Sequence, residues 1–182
     1  MSSDTFFWVL SRVAGLTCFA SLSLAILSGI ALRTAVFDWL ASNRSLKSTH
    51  EFTSILWVPL GLLHLAALLL DRTARISPTD LVVPFTASYG DLGRLAIGLG
   101  ALSFDLFVVI AITSWLRGRM NQRTWRYIHR LSYLAFALLF VHAVLGGSDF
   151  SAPLVSAIAW AAAAMLAVLA LARAFWGRLP AA

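Results

Sequence analysis

The four histidines of this 182-residue chain are the side chains best suited to chemistry, and they form two spaced pairs. His50 and His64 are 14 residues apart, and His129 and His142 are 13 apart. A histidine within a membrane is costly unless it faces the protein interior and has a partner, and His64 and His142 lie among Leu, Ala and Phe. Two neutral imidazoles can bind the iron of one flat porphyrin from its two sides. We therefore predict two b-type haems, one held by His50 and His129 near the inner surface and one held by His64 and His142 nearer the outer surface.

The composition indicates the elements that must position these histidines. Hydrophobic residues make up 60% of the chain and charged residues only 12%, whereas charged residues form about 25% of a typical soluble domain. A membrane-spanning helix needs roughly 20 apolar residues. Five segments meet this requirement, at about 6–32, 50–70, 92–116, 125–145 and 153–176. The predicted fold is an all-α integral membrane bundle of about five helices, forming a single domain over residues 1–182.

Local signals refine the ends of these segments. Ser48 and Glu51 have the spacing of a capping box, which predicts that the second helix begins near His50. Gly146 and Gly147 are expected to close the fourth span. In the connector of about 71–91, Ser77-Pro78 predicts a short helix. It is expected either to lie on the outer membrane surface or to pack over the bundle.

Basic residues predict the orientation, because short loops rich in Lys and Arg stay in the cytoplasm. The segment between spans three and four has five arginines and no acid, so it is predicted to lie inside. Because successive loops alternate between the two sides of the membrane, two further basic groups are then also placed inside. These inner residues are Arg117, Arg119, Arg123, Arg126 and Arg130, then Arg33, Arg44 and Lys47, and finally Arg173 and Arg178. We predict an outer N-terminus and an inner C-terminus in a bacterial-type inner membrane. The net charge of +6 is interpreted as contact with anionic membrane lipids, and nucleic-acid binding is rejected.

The histidine spacings fit one stacked arrangement well and the other poorly. Fourteen residues correspond to a rise of about 21 Å and leave His50 and His64 within about 40° of one helix face. Thirteen residues leave His129 and His142 about 140° apart in an ideal helix, so local overwinding or differently rotated haems are needed. Zinc and copper are disfavoured, because zinc needs three or four ligands at one point.

The chain resembles the ferric-reductase-like transmembrane domain family. This family includes NADPH oxidases, ferric reductases and the haem-binding membrane subunit of bacterial periplasmic methionine-sulfoxide reductase systems. The resemblance covers most of the chain and rests on the histidine spacings, on Ser11-Arg12-x-x-Gly15 and on Trp125-Arg126-x-x-His129-Arg130-Leu131-Ser132-Tyr133. Many members add a sixth span and a cytosolic flavin and nicotinamide domain. This chain has no Gly-x-Gly-x-x-Gly unit in a strand and helix context, so we expect the haem core alone.

The resemblance implies a transmembrane b-type cytochrome, the electron-transfer membrane component of an oxidoreductase. Its electrons would come from a separate flavoprotein, the only route to flavin, or from a membrane quinol. They would leave to an outer acceptor, either a protein or a small molecule. The resemblance also places Arg12 near the outer haem, where it would pair with a propionate; a snorkelling arginine is the alternative.

Other charged residues are assigned lesser roles. Arg126, Arg44 and Lys47 are placed to meet inner propionates, an anionic flavin partner or lipid phosphate. Asp105, in the middle of the third span, is expected to pair structurally with a neighbouring helix.

Two functions of other classes remain open from the residues alone. One is a haem-free transporter or proton-conducting protein, in which the histidines and Asp105 line a polar pathway. The other is a non-catalytic membrane anchor for a peripheral enzyme, in which the histidines only pack.

Overall fold

The computed structural model describes residues 3–34 and 41–176, without the side chains of residues 173, 174 and 176. Those ranges contain helices and loops and no strand, as predicted. Five stretches in them are helical, long and apolar enough to cross a membrane: Ser3–Thr34, Asn43–Leu70, Asp91–Trp115, Gln122–Gly146 and Pro153–Ala172. The prediction of a multi-pass membrane bundle is therefore confirmed at this level. Arg178 and the side chain of Arg173 lie outside the described residues.

The first two spans are the helices α1 (Ser3–Thr34) and α2 (Asn43–Leu70). The predicted start of α2 near His50 is wrong, because the helix begins seven residues earlier. Ser42 caps it by accepting a hydrogen bond from the backbone N–H of Ser45 at 3.2 Å. A Ser side chain that satisfies one of the first free amide groups stabilises the helix end there, so the polar turn from Asn43 onward is helical.

The third span is α4 (Asp91–Trp115), and the fourth consists of two helices, α5 (Gln122–Arg130) and α6 (Ser132–Gly146). Between α5 and α6 the amide of Leu131 bonds the carbonyl of Ile128 at 3.0 Å. This three-residue closure is tighter than an α-helical turn. As predicted, α6 ends at Gly146, with Gly147 as its cap. The fifth span is α7 (Pro153–Trp176), preceded by a short 3₁₀ turn at Ser148–Ser151.

The connector between α2 and α4 contains the predicted short helix, α3 (Pro78–Val82). Ser77 is its N-cap and Pro78 occupies the first turn, as expected, and Asp80 completes a capping box. After α3, Phe85 adopts φ 67° and its ring covers Gly98 of α4, where a Cβ would overlap the ring. The connector thus packs on the bundle through Phe85, whereas the exposed Val82 and Val83 are free to meet a membrane surface.

The capping box makes the connector sensitive to acid. Asp80 accepts hydrogen bonds from the amide and hydroxyl of Ser77, at 2.9 and 2.6 Å, and from Thr86 at 3.0 Å. These bonds favour the carboxylate and lower the pKa of Asp80, with the Ser77 hydroxyl as the largest cause. A carboxyl group with a lowered pKa stabilises the fold at pH values above the ordinary pKa of about 3.9, and this stabilisation is lost as pH falls through the lowered value.

We therefore expect hydrogen-exchange protection at residues 77–86 to fall selectively as the pH is lowered from 5 to below the pKa of Asp80. The matched variant is Asp80→Asn, which cannot ionise. It should show lower protection at pH 5 and little further change on acidification. A parent chain whose protection in this segment tracks that of Asp80→Asn at every pH would contradict the assignment.

The spans form two tight hairpins, α1 with α2 and α4 with α5 and α6, and α7 packs on α1. Between the hairpins the contacts are sparser and mainly aromatic, with Phe19 stacked on Phe136 at 5.4 Å and Trp57 against Phe107 at 5.7 Å. We call the bundle end with the Arg117–Arg130 segment the basic end, and the opposite end, with residues 71–90, the connector end. The space left between the hairpins contains all four histidines.

Candidate cofactor site between two helical hairpins

Two cavities lie in the space between the hairpins, one toward each end. The basic-end cavity has a volume of about 1180 Å³ and is lined by His50 and His129. The connector-end cavity has a volume of about 600 Å³ and is lined by His64 and His142. The connector-end volume lies within the range of small-molecule and cofactor sites, about 300–1,000 Å³, and the basic-end volume is somewhat larger. Each cavity is therefore lined by one of the two predicted histidine pairs.

A wall of three side chains separates the cavities. Leu22, Trp57 and Phe107 line both of them. All three are buried, with Trp57 only 6% exposed, and they belong to the main apolar core. The wall comes from α1, α2 and α4, so it also fixes the spacing of the hairpins at mid-height.

The two histidine rings of the basic-end cavity lie close together in an edge-on, T-shaped arrangement. Their ring centres are 6.1 Å apart and their planes are 80° apart. A metal–imidazole bond is about 2 Å long and a ring nitrogen lies about 1 Å from the ring centre, so two imidazoles on opposite sides of one ion have centres about 6 Å apart. His50 and His129 therefore lie at the spacing of two axial ligands.

Three of the four histidines are held in the same way. In each, Nδ1 lies 2.7 Å from a backbone carbonyl of the neighbouring helix; the pairs are His50 with Ala25, His64 with Ser11, and His142 with Ala96. A carbonyl can only accept, so Nδ1 carries the proton and Nε2 keeps its lone pair. Such a second bond fixes the ring orientation of a metal-ligating histidine.

A glycine makes room for each of these rings, four residues after the accepting carbonyl. A Cβ at Gly15 would lie 3.0 Å from Nδ1 of His64, one at Gly29 would lie 3.0 Å from Cε1 of His50, and one at Gly100 would lie 2.6 Å from Nδ1 of His142. Of these three glycines, only Gly15 belongs to a motif recognised in the sequence. The carbonyl and glycine, four residues apart, are the signal that could have identified them.

The two hairpins repeat this arrangement, although no repeat is evident in the sequence. Ser11, Gly15 and Cys18 of α1 are each 85 positions before their counterparts Ala96, Gly100 and Ser103 of α4. His64 and Trp57 of α2 are likewise each 78 positions before His142 and Ala135 of α6. Cys18 Sγ contacts the Trp57 carbonyl at 3.7 Å, and Ser103 Oγ donates to the Ala135 carbonyl at 2.9 Å. These matched contacts show that the hairpins are built alike.

His129 reaches its cavity from a separate helix. Its ring stacks on Trp125, with centres 5.0 Å apart and planes 23° apart, and Arg117 covers the Trp125 ring at 4.2 Å. The tightened turn at Leu131, where α5 ends and α6 begins, supplies part of the about 140° expected between His129 and His142, because three residues in 3₁₀ geometry turn about 60° further than in an α-helix. This turn is overwound, in the sense that the spacing of 13 requires.

Arg12 lines the connector-end cavity, as the sequence analysis expected of a residue near the outer haem. Its guanidinium forms a two-pronged ion pair with Asp149, with Nε donating to Oδ2 at 2.8 Å, and it covers the Trp8 ring at 4.1 Å. Asp149 was not predicted as a partner. It lies in the turn before α7, so the pair connects α1 to that turn at the cavity.

Basic side chains surround the basic-end cavity. Arg126 lines it, as do five further basic residues: Arg33, Lys47, Arg117, Arg123 and Arg130. Glu51 is the one acid among the described lining residues, and it lies 3.7 Å from Lys47. Arg44 is exposed and does not line the cavity. This cavity therefore favours anionic groups.

Two further points concern groups outside the paired histidines. Asp105 is half-buried in α4 and has no hydrogen-bond or ion-pair partner within residues 3–34 and 41–176, so the expected structural pairing is not seen there. In the same ranges, no three His, Cys, Asp or Glu side chains gather as one metal site. An axial pair needs only two.

Comparisons with known proteins add a family and little chemistry. A stretch of 68 residues, 35% of this chain, is 37% identical to an uncharacterized protein of Treponema pallidum (strain Nichols). The match spans 19% of that protein, about a fifth of its length. No solved structure matches the chain. Residues 6–149 match the family described as Domain of unknown function (DUF8596), and the chain belongs to that family.

Proposed function

We propose that this chain is a transmembrane b-type cytochrome that holds two bis-histidine haems, one above the other, and passes electrons between them. The observation that carries the proposal is the neighbouring pair His50 and His129, whose ring centres are 6.1 Å apart, close to the spacing of two imidazoles that bind one ion. The proposal makes the chain the membrane component of an oxidoreductase.

The donor set and the space fit haem. The hydrogen bonds of His50, His64 and His142 leave Nε2 as the atom that would bind iron. The connector-end cavity is bounded largely by apolar side chains, and in both cavities glycines keep ring positions clear. Arg12 lines the connector-end cavity and Arg126 lines the basic-end cavity, and each would bind a haem propionate. Arg12 would do so either while it keeps its ion pair with Asp149 or after that ion pair breaks. When bound, each haem would supply a centre that gains and loses one electron.

The chain's own residues would hold the two centres apart and dry. Ala25, Ser11 and Ala96 fix the histidine rings through their carbonyls, so little rearrangement would accompany a change of charge. The wall of Leu22, Trp57 and Phe107 excludes water between the cavities. The 14-residue step along α2 sets a rise of about 21 Å between His50 and His64.

The orientation and the partners belong to the same proposal. The basic end would face the cytoplasm under the positive-inside rule, with the N-terminus outside and the C-terminus inside a bacterial inner membrane. A separate flavoprotein or a membrane quinol would then donate electrons at the basic end, where the arginines favour an anionic group. A protein or small-molecule acceptor would take them at the connector end.

The test is haem content and absorption of the purified protein, oxidised and reduced with dithionite. We expect about two b haems per chain in the parent and about one in a His64→Ala/His142→Ala variant, because each pair supplies both axial ligands of one iron. Helix content by circular dichroism checks that the variant remains folded. A folded parent without haem, expressed with ample haem supply, would contradict the proposal and leave the transporter or the anchor.

A further inference from the structure

The basic-end histidines are not held alike, although the repeat of the two hairpins predicts that they would be. The step of 78 positions that takes His64 to His142 takes His50 to Ile128, one residue before His129. Ile128 packs on the apolar core, so the repeat position is occupied by a core side chain. His129 therefore enters the cavity from a position one residue further along the helix, and its ring plane lies 80° from that of His50.

The part of α4 opposite His129 also differs from the helix segments that pack against the other three histidines. The step of 85 positions takes Gly15 to Gly100, but it takes Gly29 to Ser114. A Cβ at Gly100 would come within 2.6 Å of the His142 ring. The Cβ and hydroxyl of Ser114, at the equivalent position, therefore leave no room for a histidine ring to pack in the same way. The support of His129 instead includes the Trp125 stack, on a helix of nine residues.

Two buried donors lie at this same place without acceptors. Ser114 Oγ and Trp125 Nε1 are shielded from solvent and have no hydrogen-bond partner in the described part of the chain. Both residues line the cavity of His50 and His129, and Trp125 is about nine-tenths buried. Buried donors without partners are rare in native proteins, and donors beside a haem decide whether it takes a small ligand.

We propose that the basic-end site is switchable, with His50 as its permanent ligand and His129 as a ligand that withdraws to admit a small uncharged diatomic molecule. The proposal rests on the proposed haem function. Ser114 Oγ, on α4, would donate a hydrogen bond to the bound molecule, and Trp125 would withdraw together with His129 because both lie in α5. The turn at Leu131, where α5 separates from α6, would let α5 move without displacing His142. The connector-end site, with both rings held by carbonyls and glycines, would stay closed.

The probe is carbon monoxide, added to the dithionite-reduced protein in detergent, with the difference spectrum as readout. We expect carbon monoxide to change about half of the haem in the parent. A His64→Ala/His142→Ala variant, which keeps the basic-end site, should respond in nearly all of its haem. A His50→Ala/His129→Ala variant, which keeps the connector-end site, should not respond.

A second pair of variants tests the role of the stack. Trp125→Leu removes the ring on which His129 rests and should speed carbon monoxide uptake by about threefold to tenfold. Trp160→Leu is the matched control, because Trp160 is 54% exposed on α7 and lines neither cavity, and its uptake rate should equal that of the parent.

The outcomes separate this proposal from the function on which it rests. A folded parent without haem fails the proposed function. A parent with two haems but no carbon monoxide response overturns the switchable site and leaves the cytochrome intact. A response confined to the connector-end site, or shared equally by both sites, would also overturn it.

Discussion

Replacing Gly100 with alanine is expected to reduce haem content from about two per chain toward one, by emptying the connector-end site. A Cβ at this position would lie 2.6 Å from Nδ1 and 2.8 Å from Cε1 of His142. The ring cannot move away freely, because Nδ1 also donates to the Ala96 carbonyl at 2.7 Å. One atom added to a closely packed interior forces such a displacement at a cost of about 1–3 kcal/mol. A ring displaced from the haem axis would bind iron poorly.

Val109→Ile is the matched control for this experiment. Val109 is also in α4, but it is 46% exposed and lines neither cavity. Both substitutions add one carbon atom to the same helix, so a difference between them reports the contact with the histidine ring. Val109→Ile should keep parental haem content. A Gly100→Ala protein with two haems and an unaltered spectrum would refute the glycine assignment.

Electron transfer across a membrane is expected to fall to the level of protein-free vesicles when either histidine pair is removed. The two pairs are separated by a rise of about 21 Å along α2, so each site would cover roughly half of the path. Variants His50→Ala/His129→Ala and His64→Ala/His142→Ala should each keep the other haem and lose transfer together. The measurement is the rate at which external dithionite reduces ferricyanide trapped inside vesicles that contain the purified chain.

Phe52→Ala serves as the control in vesicles, because Phe52 is 64% exposed on α2 and lines neither cavity. Its rate should match that of the parent at equal protein content. A pair variant that retains the parental rate would contradict electron transfer through two stacked sites, whatever its haem content. A parent that carries two haems but transfers no faster than empty vesicles would contradict the function and leave the binding sites standing.

The amino-acid sequence determined the elements of this protein and the pairing of its histidines. Runs of about 20 apolar residues can satisfy their backbone groups in a membrane only as helices, so the five spans followed from composition and length alone. The order of the spans then places His50 level with His129 and His64 level with His142. The start of α3 was predicted correctly from Ser77 and Pro78, because capping acts within a few residues. The start of α2 was predicted wrongly, because Ser42 caps that helix before the expected capping box at Ser48 and Glu51.

Only the tertiary structure decided what surrounds each histidine. The carbonyls of Ala25, Ser11 and Ala96 lie 25 to 53 residues from the rings that they accept from. The ion pair of Arg12 and Asp149 spans 137 positions. No local pattern specifies such partners, because they depend on how two hairpins face each other. The repeat of the hairpins became visible in the same way, from matched contacts and not from matched residues.

The basic-end site shows the division most clearly. The sequence supplied the spacing of 13 and the mismatch that it implies for one continuous helix. The structure reduces this mismatch by ending α5 at Arg130 and starting α6 at Ser132, through a turn that is tighter than an α-helix. Whether a helix tightens or breaks depends on the packing of Ile128 and Trp125 against α4 and its neighbours, and those contacts exist only in the folded bundle.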